Sequence, residues 1–241
     1  MPPFGCGFQT ARARAPAMNS FPFTAVGFDL DGTLVDSARD LGPALQHALD
    51  AIGRPAVPAE DVVSLIGGGA RAMLERGLLL TGGPLPARAF EAALAGLMDH
   101  YTAHIADHTV PYDGCLQALD DLAARGVALA VVTNKAEHLA RLLLEKLDLT
   151  DRFAGIIGGD TLGAGRSKPR PDMIVEAIRL CNVGGRFAMV GDSTYDTGAA
   201  RAAGVPSVAL SFGYNDRPAA ELGADAVIDH YDQLVPTLLR L

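Results

Sequence analysis

Six short apolar segments, most of them separated by helical stretches, restrict the fold of this chain more than any other feature. They cover residues 24–30, 127–132, 154–157, 187–190, 207–210 and 226–228. Strand signals that alternate with helix signals are typical of a parallel sheet covered by helices on both faces. We therefore predict an α/β fold with a doubly wound parallel-sheet core. Ligands bind such sheets at the carboxyl ends of the strands, where Asp29, Thr133 and Asp192 are expected to meet.

The segment 36–110 follows a different pattern, since it shows helical periodicity and no convincing strand. Its first helix is indicated by apolar residues at helical spacing, namely Leu41, Leu45, Leu49 and Ile52. Ser37 and Asp40 have the spacing of a capping box at the start of this helix. Apolar periodicity predicts further helices over 70–80 and 87–106. We therefore predict an inserted all-helical cap of about four helices that closes over the end of the first strand.

These patterns divide the chain into three predicted parts: a disordered tail over 1–20, a catalytic core formed by 21–35 and 111–241, and the helical cap over 36–110. The tail contains arginine and no acidic residue, as transit peptides do, but it lacks the apolar stretch of a secretory signal. Met18 is an alternative start, in which case residues 1–17 are not made.

The composition argues against several functional classes. A net charge of −8 at pH 7 disfavours nucleic-acid binding, which relies on a basic face. No apolar run approaches the roughly 18 residues of a membrane-spanning helix. The three cysteines, Cys6, Cys115 and Cys181, form neither a disulfide framework nor a metal-binding pair. We expect a cytoplasmic monomer or homodimer with no nucleic-acid or membrane partner.

Asp29 and Asp31 stand two residues apart where the first strand runs into a turn at Gly32. Residues i and i+2 of an extended strand face the same side, so the two carboxylates are expected to converge. A hard divalent cation, Mg²⁺ above all, would keep both ionised and hold a phosphate oxygen. One carboxylate would attack phosphorus and the other would move protons. The alternative is purely conformational, because Asp and Gly also favour tight turns.

Two later segments supply groups that bind phosphate. Thr133 and Asn134 follow the second strand at the start of a helix, where hydroxyl, amide and backbone N–H groups can hold an anion. The same pair is also an ordinary helix cap. Lys168 lies in a stretch with Pro169 and Pro171, which restricts where its side chain points. A lysine held there would neutralise the phosphate and the attacking carboxylate, whereas most surface lysines are merely solvated.

The fourth strand ends in the same way as the first, because Asp192 closes an apolar run and Asp196 lies one helical turn further on. Asp192 would complete a magnesium site with Asp29 and the backbone carbonyl of Asp31. Asp196 is expected to orient a metal-bound water or Lys168. An acidic residue at a helix start also suits the helix dipole, which is the structural alternative.

Four segments in this order resemble the haloacid dehalogenase superfamily of phosphatases. They are Asp-Leu-Asp-Gly-Thr-Leu-Val-Asp-Ser at 29–37, Thr-Asn at 133–134, Lys-Pro at 168–169 and Gly-Asp-Ser-Thr-Tyr-Asp at 191–196. The resemblance implies a Rossmann-like core, Mg²⁺ and an aspartyl-phosphate intermediate. It implies Asp29 as the nucleophile and Asp31 as the acid/base catalyst and backbone metal ligand. Thr133 and Lys168 are the implied phosphate contacts, and Asp192 is an implied metal ligand.

Within the superfamily the chain is most similar to bacterial phosphoglycolate phosphatases. Dehalogenases and phosphonate-cleaving relatives lack an aspartate at the position of Asp31, so phosphate chemistry is favoured. Longer matches to phosphoglycolate phosphatases lie at 111–114, 133–135, 158–160, 212–215 and 227–230. The implied reaction is the hydrolysis of a small anionic phosphate ester, 2-phosphoglycolate, to glycolate and phosphate.

The cap is expected to select the substrate, and its glycine-rich loop at 67–69 runs into a helix that carries Arg71. A guanidinium binds a planar carboxylate through paired hydrogen bonds, so Arg71 is the expected contact of the glycolate group. Phosphoglycolate phosphatases commonly have asparagine where Gly68 stands, and the loop also resembles that of relatives acting on N-acetylmuramate 6-phosphate. The alternatives are therefore a phosphatase of another sugar phosphate, a sugar phosphomutase and, more remotely, a non-catalytic binding protein.

His100, His104 and His108 recur every four residues on the last predicted cap helix, which is the spacing of a metal-binding stripe. They also lie along one edge of that helix's apolar face. We favour a polar border of a packed surface over a zinc site.

Overall fold

The structure is a computed structural model that describes residues 21–241, so the tail predicted over 1–20 lies outside the described residues. Its strands are, in chain order, β1 (Ala25–Phe28), β2 (Val35–Asp36), β3 (Val110–Pro111), β4 (Ala128–Val132), β5 (Gly155–Ile157), β6 (Phe187–Gly191), β7 (Ser207–Leu210) and β8 (Ala226–Ile228). Its α-helices are α1 (Ala38–Ala51), α2 (Ala59–Leu65), α3 (Ala70–Leu80), α4 (Ala87–Ala103), α5 (Cys115–Ala124), α6 (Glu137–Lys146), α7 (Asp172–Cys181), α8 (Thr194–Ala203) and α9 (Leu234–Leu238).

The six predicted strands are confirmed, with ends that differ by at most two residues, and they form one parallel sheet. The strand order is β5-β4-β1-β6-β7-β8, so the chain winds outward in both directions from β1. Phe28 of β1 is paired with Val131 of β4 and with Val190 of β6. This register brings the three strand ends level, and the polar residues that follow them share one edge of the sheet. The predicted doubly wound α/β core is therefore confirmed.

Both faces of the sheet are covered, as a parallel sheet requires. Val26 and Phe28 of β1 belong to one apolar cluster, which continues into the helices between β2 and β3. Ala25 belongs to a second cluster with Ile174 of α7 and Ala199 of α8. Neighbouring residues of a strand point to opposite faces, so the apolar run of β1 is buried on both sides. Burial on both faces of the sheet explains why the strand segments of the sequence are runs of apolar residues.

Four helices, α1 to α4, lie between β2 and β3 and are called the cap below. The predicted helix over 70–80 is confirmed, and the one predicted over 87–106 ends at Ala103. Helix α1 packs against α4, and buried Leu45 and Leu97 belong to the same apolar cluster as the sheet. The inserted helical cap is thus confirmed as part of the fold, while the domain boundaries at 35/36 and 110/111 stay a prediction.

The chain enters and leaves the cap through a two-stranded antiparallel ladder that the sequence did not predict. Val35 is paired with Pro111, and Asp36 is paired with Val110. The hydroxyl of Tyr214 accepts hydrogen bonds from the backbone N–H groups of Ser37 at 2.6 Å and Ala38 at 2.8 Å. It donates a hydrogen bond to the carboxylate of Asp36 at 2.6 Å. One core tyrosine therefore holds the start of the cap.

The predicted capping box at Ser37 and Asp40 is wrong. The Ser37 hydroxyl donates to the carboxylate of Asp31 at 2.6 Å. The Asp40 carboxylate instead accepts hydrogen bonds from the backbone N–H groups of His108 and Thr109 and from the Thr109 hydroxyl. Ser37 is thus satisfied by the turn that precedes the cap, and Asp40 by the chain that leaves the cap and runs past the start of α1.

None of the helices within residues 21–241 has the length and apolarity that crossing a membrane requires.

Candidate active site

A cavity of about 530 Å³ lies between the carboxyl ends of the strands and the cap. Its floor is formed by core residues that include Asp29, Asp31, Thr133, Asn134, Lys135 and Ser193. Its roof is formed by cap residues that include the loop 67–69, Arg71, Leu94, Leu97, Met98 and Tyr101. The cavity is therefore lined by Asp29 and Thr133, from two of the three predicted strand ends, and by Arg71 from the cap.

Asp29 lies directly after β1, where the sheet delivers its carboxylate to the floor of the cavity. One carboxylate oxygen accepts a hydrogen bond from the backbone N–H of Leu30 at 2.7 Å. The other lies 3.0 Å from the ammonium of Lys168. Burial raises the pKa of Asp29 to about 6, although the Lys168 charge opposes this shift. Asp29 is thus held in one orientation next to the Lys168 ammonium.

Asp192 lies beneath the cavity floor, at the end of β6, and both of its oxygens are engaged. They accept hydrogen bonds from the Thr33 hydroxyl at 2.9 Å and from the backbone N–H of Tyr214 at 2.6 Å. Burial, with the carboxylates of Asp196 and Asp29 nearby, raises the pKa of Asp192 well above its usual value. Such a site favours a cation that offsets these charges.

Asp196 occupies the first turn of α8, where a capping box with Ser193 forms. One of its oxygens accepts hydrogen bonds from the backbone N–H groups of Asp192 and Ser193 and from the Ser193 hydroxyl at 2.6 Å. The other lies 2.6 Å from the Lys168 ammonium. These contacts fix the positions of Lys168 and Ser193, and the orienting role predicted for Asp196 stays a prediction.

Three carboxylates could hold a metal ion here, because oxygens of Asp29, Asp192 and Asp196 all lie within 4.8 Å of one another. Hard oxygen ligands of this kind fit Mg²⁺. One oxygen of Asp196 already accepts three hydrogen bonds, whereas each oxygen of Asp29 and Asp192 has a single donor and keeps a lone pair that a metal could use. The predicted set of Asp29, Asp192 and the Asp31 carbonyl fits this arrangement and is carried forward as a proposal.

Lys168 is buried, with its side chain 1% exposed, and it bridges Asp29 and Asp196. Burial alone would lower the pKa of its ammonium, but the two carboxylates outweigh burial and raise that pKa above its usual value. Asn134 holds the backbone of this residue from both sides, because its amide oxygen accepts from the Lys168 N–H at 3.0 Å and its amide nitrogen donates to the Lys168 carbonyl at 3.1 Å. The direct substrate contact predicted for Asn134 stays a prediction.

Thr133 lies directly after β4, buried and on the cavity floor. Its hydroxyl oxygen accepts a hydrogen bond from the backbone N–H of Lys135 at 3.2 Å. The hydroxyl hydrogen stays available to a phosphate oxygen, which suits the predicted role.

Lys135 is a floor residue to which reasoning from the sequence gave no chemical role. Its ammonium lies 2.9 and 2.8 Å from the two oxygens of Asp31. Burial alone would lower the pKa of this ammonium. The Asp31 carboxylate has the larger opposite effect, so the pKa is raised above its usual value. A signal was present in the composition: only three of the 20 basic residues are lysines, and two of these, Lys135 and Lys168, are buried at this site.

Arg71 lies at the rim of the roof and is not free. Its guanidinium makes two contacts of 3.0 Å with the carboxylate of Glu91, and its side chain is 54% exposed. It also lies 5.0 Å from the centre of the Phe90 ring. A substrate carboxylate would have to compete with Glu91 for this guanidinium, so the carboxylate contact predicted for Arg71 stays a prediction.

The three histidines of the predicted stripe, His100, His104 and His108, contact different groups. His100 stacks between His47 and His104, with ring centres 4.6 and 4.7 Å apart. His104 also pairs with Asp107 at 2.7 Å. His108 pairs with Asp40 at 2.9 Å. These contacts agree with the interpretation of the histidines as a border of the packed cap surface.

Comparison with known proteins supports this picture. A family model described as haloacid dehalogenase-like hydrolase matches residues 26–210. The chain is 43% identical over 227 residues to a phosphoglycolate phosphatase of Agrobacterium fabrum, covering 92% of this chain and 96% of the relative. It is 43% identical over 209 residues to a phosphoglycolate phosphatase of Caulobacter vibrioides, covering 86% of each chain.

A solved structure has the same architecture. It is described as a predicted phosphoglycolate phosphatase from Haemophilus somnus, and it superposes with a TM-score of 0.83 at 28% identity, covering 90% of this chain and 98% of the other. The fold, the order of the motifs and the family match agree: this chain belongs to the haloacid dehalogenase-like hydrolases.

Proposed function

We propose that the protein is an Mg²⁺-dependent phosphatase that acts in the cytoplasm on small anionic phosphate esters, with 2-phosphoglycolate as its substrate. The observation that carries this proposal is the Asp29 carboxylate, which faces the cavity and lies 3.0 Å from the buried ammonium of Lys168. The similarity to phosphoglycolate phosphatases, at 43% identity over most of the chain, supports the choice of substrate.

In the first step a carboxylate oxygen of Asp29 attacks phosphorus and the bond to the leaving oxygen breaks, which gives an aspartyl phosphate. Asp31 donates a proton to the leaving oxygen, so that glycolate departs as an alcohol. Lys168 and Thr133 stabilise the charge that develops on the phosphoryl oxygens. Lys168 needs no rearrangement for this, because Asn134 and Asp196 already hold its backbone and its ammonium.

In the second step Asp31 takes a proton from water, which attacks the phosphorus of the aspartyl phosphate and regenerates Asp29. A bound Mg²⁺, with Asp29, Asp192 and the backbone carbonyl of Asp31 as ligands, would supply positive charge to the phosphate oxygens and keep Asp29 ionised. Asp196 and Thr33 hold the neighbouring groups in place through their hydrogen bonds.

The roof separates this chemistry from bulk water. Leu94, Leu97 and Met98 of α4 present apolar surface to the cavity. Water exclusion strengthens the electrostatic contacts of the floor and limits competing reactions. Arg71, at the rim, is proposed to attract the anionic substrate as it enters.

A second candidate substrate is a sugar phosphate. The cavity of about 530 Å³ lies within the range of sites that hold much larger ligands than 2-phosphoglycolate. Hydrolysis of such an ester would use the same floor residues, and only the contacts with the roof would differ.

A panel of phosphate esters tests the proposal. Phosphate release from 2-phosphoglycolate, glucose 6-phosphate, N-acetylmuramate 6-phosphate and a nucleoside monophosphate is measured with Mg²⁺ and compared as kcat/KM. We expect the highest value for 2-phosphoglycolate, with equal amounts of glycolate and phosphate. A higher value for a sugar phosphate would contradict the substrate, and an isomerised sugar phosphate without free phosphate would identify a mutase.

A further inference from the structure

The second buried lysine of the floor, Lys135, has a hydrogen-bond donor to spare. An ammonium has three N–H donors, and two of them are directed at the two oxygens of Asp31, at 2.9 and 2.8 Å. Within residues 21–241 no acceptor lies at hydrogen-bond distance from the third. Its side chain is 6% exposed and lines the cavity, so the ammonium is largely shielded from bulk solvent and lies beside the space open to a ligand.

Tyr101, a roof residue next to Lys135, also has a hydrogen-bond donor without an acceptor among the described residues. Tyr101 of α4 lines the cavity, is 1% exposed, and has its ring centre 4.5 Å from the Lys135 ammonium. Its hydroxyl has no hydrogen-bond partner among the described residues. Buried hydroxyl groups without partners are uncommon, because each one costs free energy. A buried, unpartnered donor from the cap and a buried ammonium from the core therefore meet on one side of the cavity.

The chemistry of a short substrate places its second anionic group at this point. Asp31 must be within hydrogen-bond reach of the leaving oxygen to protonate it. In 2-phosphoglycolate one methylene group joins that oxygen to the carboxylate, through two bonds of about 1.5 Å. A carboxylate so close to the leaving oxygen must also lie close to Asp31, and hence close to the ammonium that Asp31 holds.

We propose that Lys135 and Tyr101 form the subsite that binds the carboxylate of the leaving group, and that they select phosphate esters of a 2-hydroxy carboxylic acid. This inference rests on the proposed function and names the residues that set its selectivity. The ammonium keeps its contacts with Asp31 and donates its third N–H to the carboxylate, and the Tyr101 hydroxyl donates a second hydrogen bond. Because one residue belongs to the core and the other to the cap, the subsite is complete only while the cap covers the floor.

The test compares 2-phosphoglycolate with ethyl phosphate, in which a methyl group replaces the carboxylate. The quantity measured is the ratio of the two kcat/KM values in the parent protein and in Lys135→Met, Tyr101→Phe and Arg71→Ala. Lys146→Met, which removes the exposed lysine of α6, is the matched control. We expect the ratio to fall by about 30-fold in Lys135→Met and about 10-fold in Tyr101→Phe, since charged hydrogen bonds contribute more than neutral ones.

The outcomes separate this inference from the proposed function. If the parent does not prefer 2-phosphoglycolate to ethyl phosphate, the proposed substrate is wrong. If it does, but Lys135→Met slows both esters equally, Lys135 only positions Asp31 and the inference is wrong. Loss of the ratio in Arg71→Ala alone would place the carboxylate at the rim and would also overturn it. Should Lys135→Met fail to fold, Tyr101→Phe decides, because it leaves the Lys135–Asp31 ion pair intact.

Discussion

The floor and the roof of the cavity differ in how their polar groups are satisfied. At the floor and directly beneath it, Asp29, Asp192 and Asp196 each have a lysine or hydrogen-bond donors on both oxygens. On the roof, whose lining is largely apolar, the Tyr101 hydroxyl has no hydrogen-bond partner within residues 21–241, and the guanidinium of Arg71 pairs with Glu91 at the rim. A densely connected floor suits chemistry common to many substrates, and a sparsely polar roof suits selection among them. Substitutions on the floor, except at Lys135, should therefore affect all esters, whereas most substitutions on the roof should affect some more than others.

The strongest test of this division is Asp29→Asn. The amide cannot act as a nucleophile, so we expect turnover of every ester to fall by about 10⁴-fold or more. Asp151→Asn, at an exposed position far from the cavity, serves as the control. Phosphate release is measured for 2-phosphoglycolate and ethyl phosphate, with thermal unfolding to confirm folding. Parent-like hydrolysis of either ester by Asp29→Asn would refute the role of the floor.

Removal of a proposed metal ligand, Asp192, should strongly reduce stabilisation by Mg²⁺. At an Mg²⁺ concentration 100 times its Kd, binding to the folded state adds about 2.7 kcal/mol to the free energy of unfolding. Asp192→Asn should lose most of this gain, because it removes a charged ligand from the three-carboxylate cluster. Urea unfolding with Mg²⁺ and with EDTA gives the gain in the free energy of unfolding that Mg²⁺ provides. Asp225→Asn, away from the cluster, is the control. An undiminished Mg²⁺ effect in Asp192→Asn would show that the ion binds elsewhere.

The point where roof and floor touch is an exception to the division, and it can be tested with two neighbouring glycines. A Cβ at Gly69 would lie 3.0 Å from the backbone carbonyl of Asn134, whereas a Cβ at Gly67 would have no atom within 4 Å. Both residues have positive φ, so both alanine variants carry similar backbone strain. We expect Gly69→Ala to lower kcat/KM for all esters by about 10-fold, because the added Cβ forces the cap loop and the Asn134 carbonyl apart by a few tenths of an ångström, and Gly67→Ala to change it little. Equal activity of the two variants would mean that this contact does not control closure.

The smallest expected effect concerns the helix that carries Tyr101. Burial lowers the pKa of His100, and the neighbouring rings of His47 and His104 add to this shift. The unfolded chain then binds a proton at a higher pH than the folded one, so stability falls as pH decreases below about 6.5. His100→Gln should reduce this pH dependence, whereas His138→Gln on the exposed side of α6 should not. Urea unfolding at pH 7.5 and 5.5 measures the change in the free energy of unfolding between these pH values. The same change in His100→Gln as in the parent would contradict the role given to His100.

The sequence predicted the features that depend on neighbouring residues in the chain. Asp29, Thr133 and Asp192 were placed correctly because each directly follows or closes a buried strand, and parallel strands bring such positions to one edge. The helix over 70–80 was predicted from its own apolar periodicity. Asp196 was placed near Lys168 because it lies one helical turn beyond Asp192.

The features that the sequence did not reveal depend on distant partners. Tyr214 binds the backbone of Ser37 across 177 residues, and no local pattern announces that contact. The spacing of Ser37 and Asp40 suggested a capping box, but Asp31 and the chain at 108–109 offered these side chains other partners. The sequence indicated that α4 has a packed face, but it did not reveal that Leu97 and Tyr101 of this face also line the cavity. That second role depends on where the distant core lies.

The ladder between β2 and β3 has a consequence for how such proteins diversify. Because Val35 faces Pro111 and Asp36 faces Val110, the whole stretch between them begins and ends at one spot on the core. No strand of the six-stranded sheet lies within that stretch. An insertion of different length or helix packing can therefore be grafted between the same two short strands while the catalytic edge keeps its register. In molecules with this layout, new substrates can be acquired by exchange of one contiguous piece of gene, without renewed selection on the reaction itself.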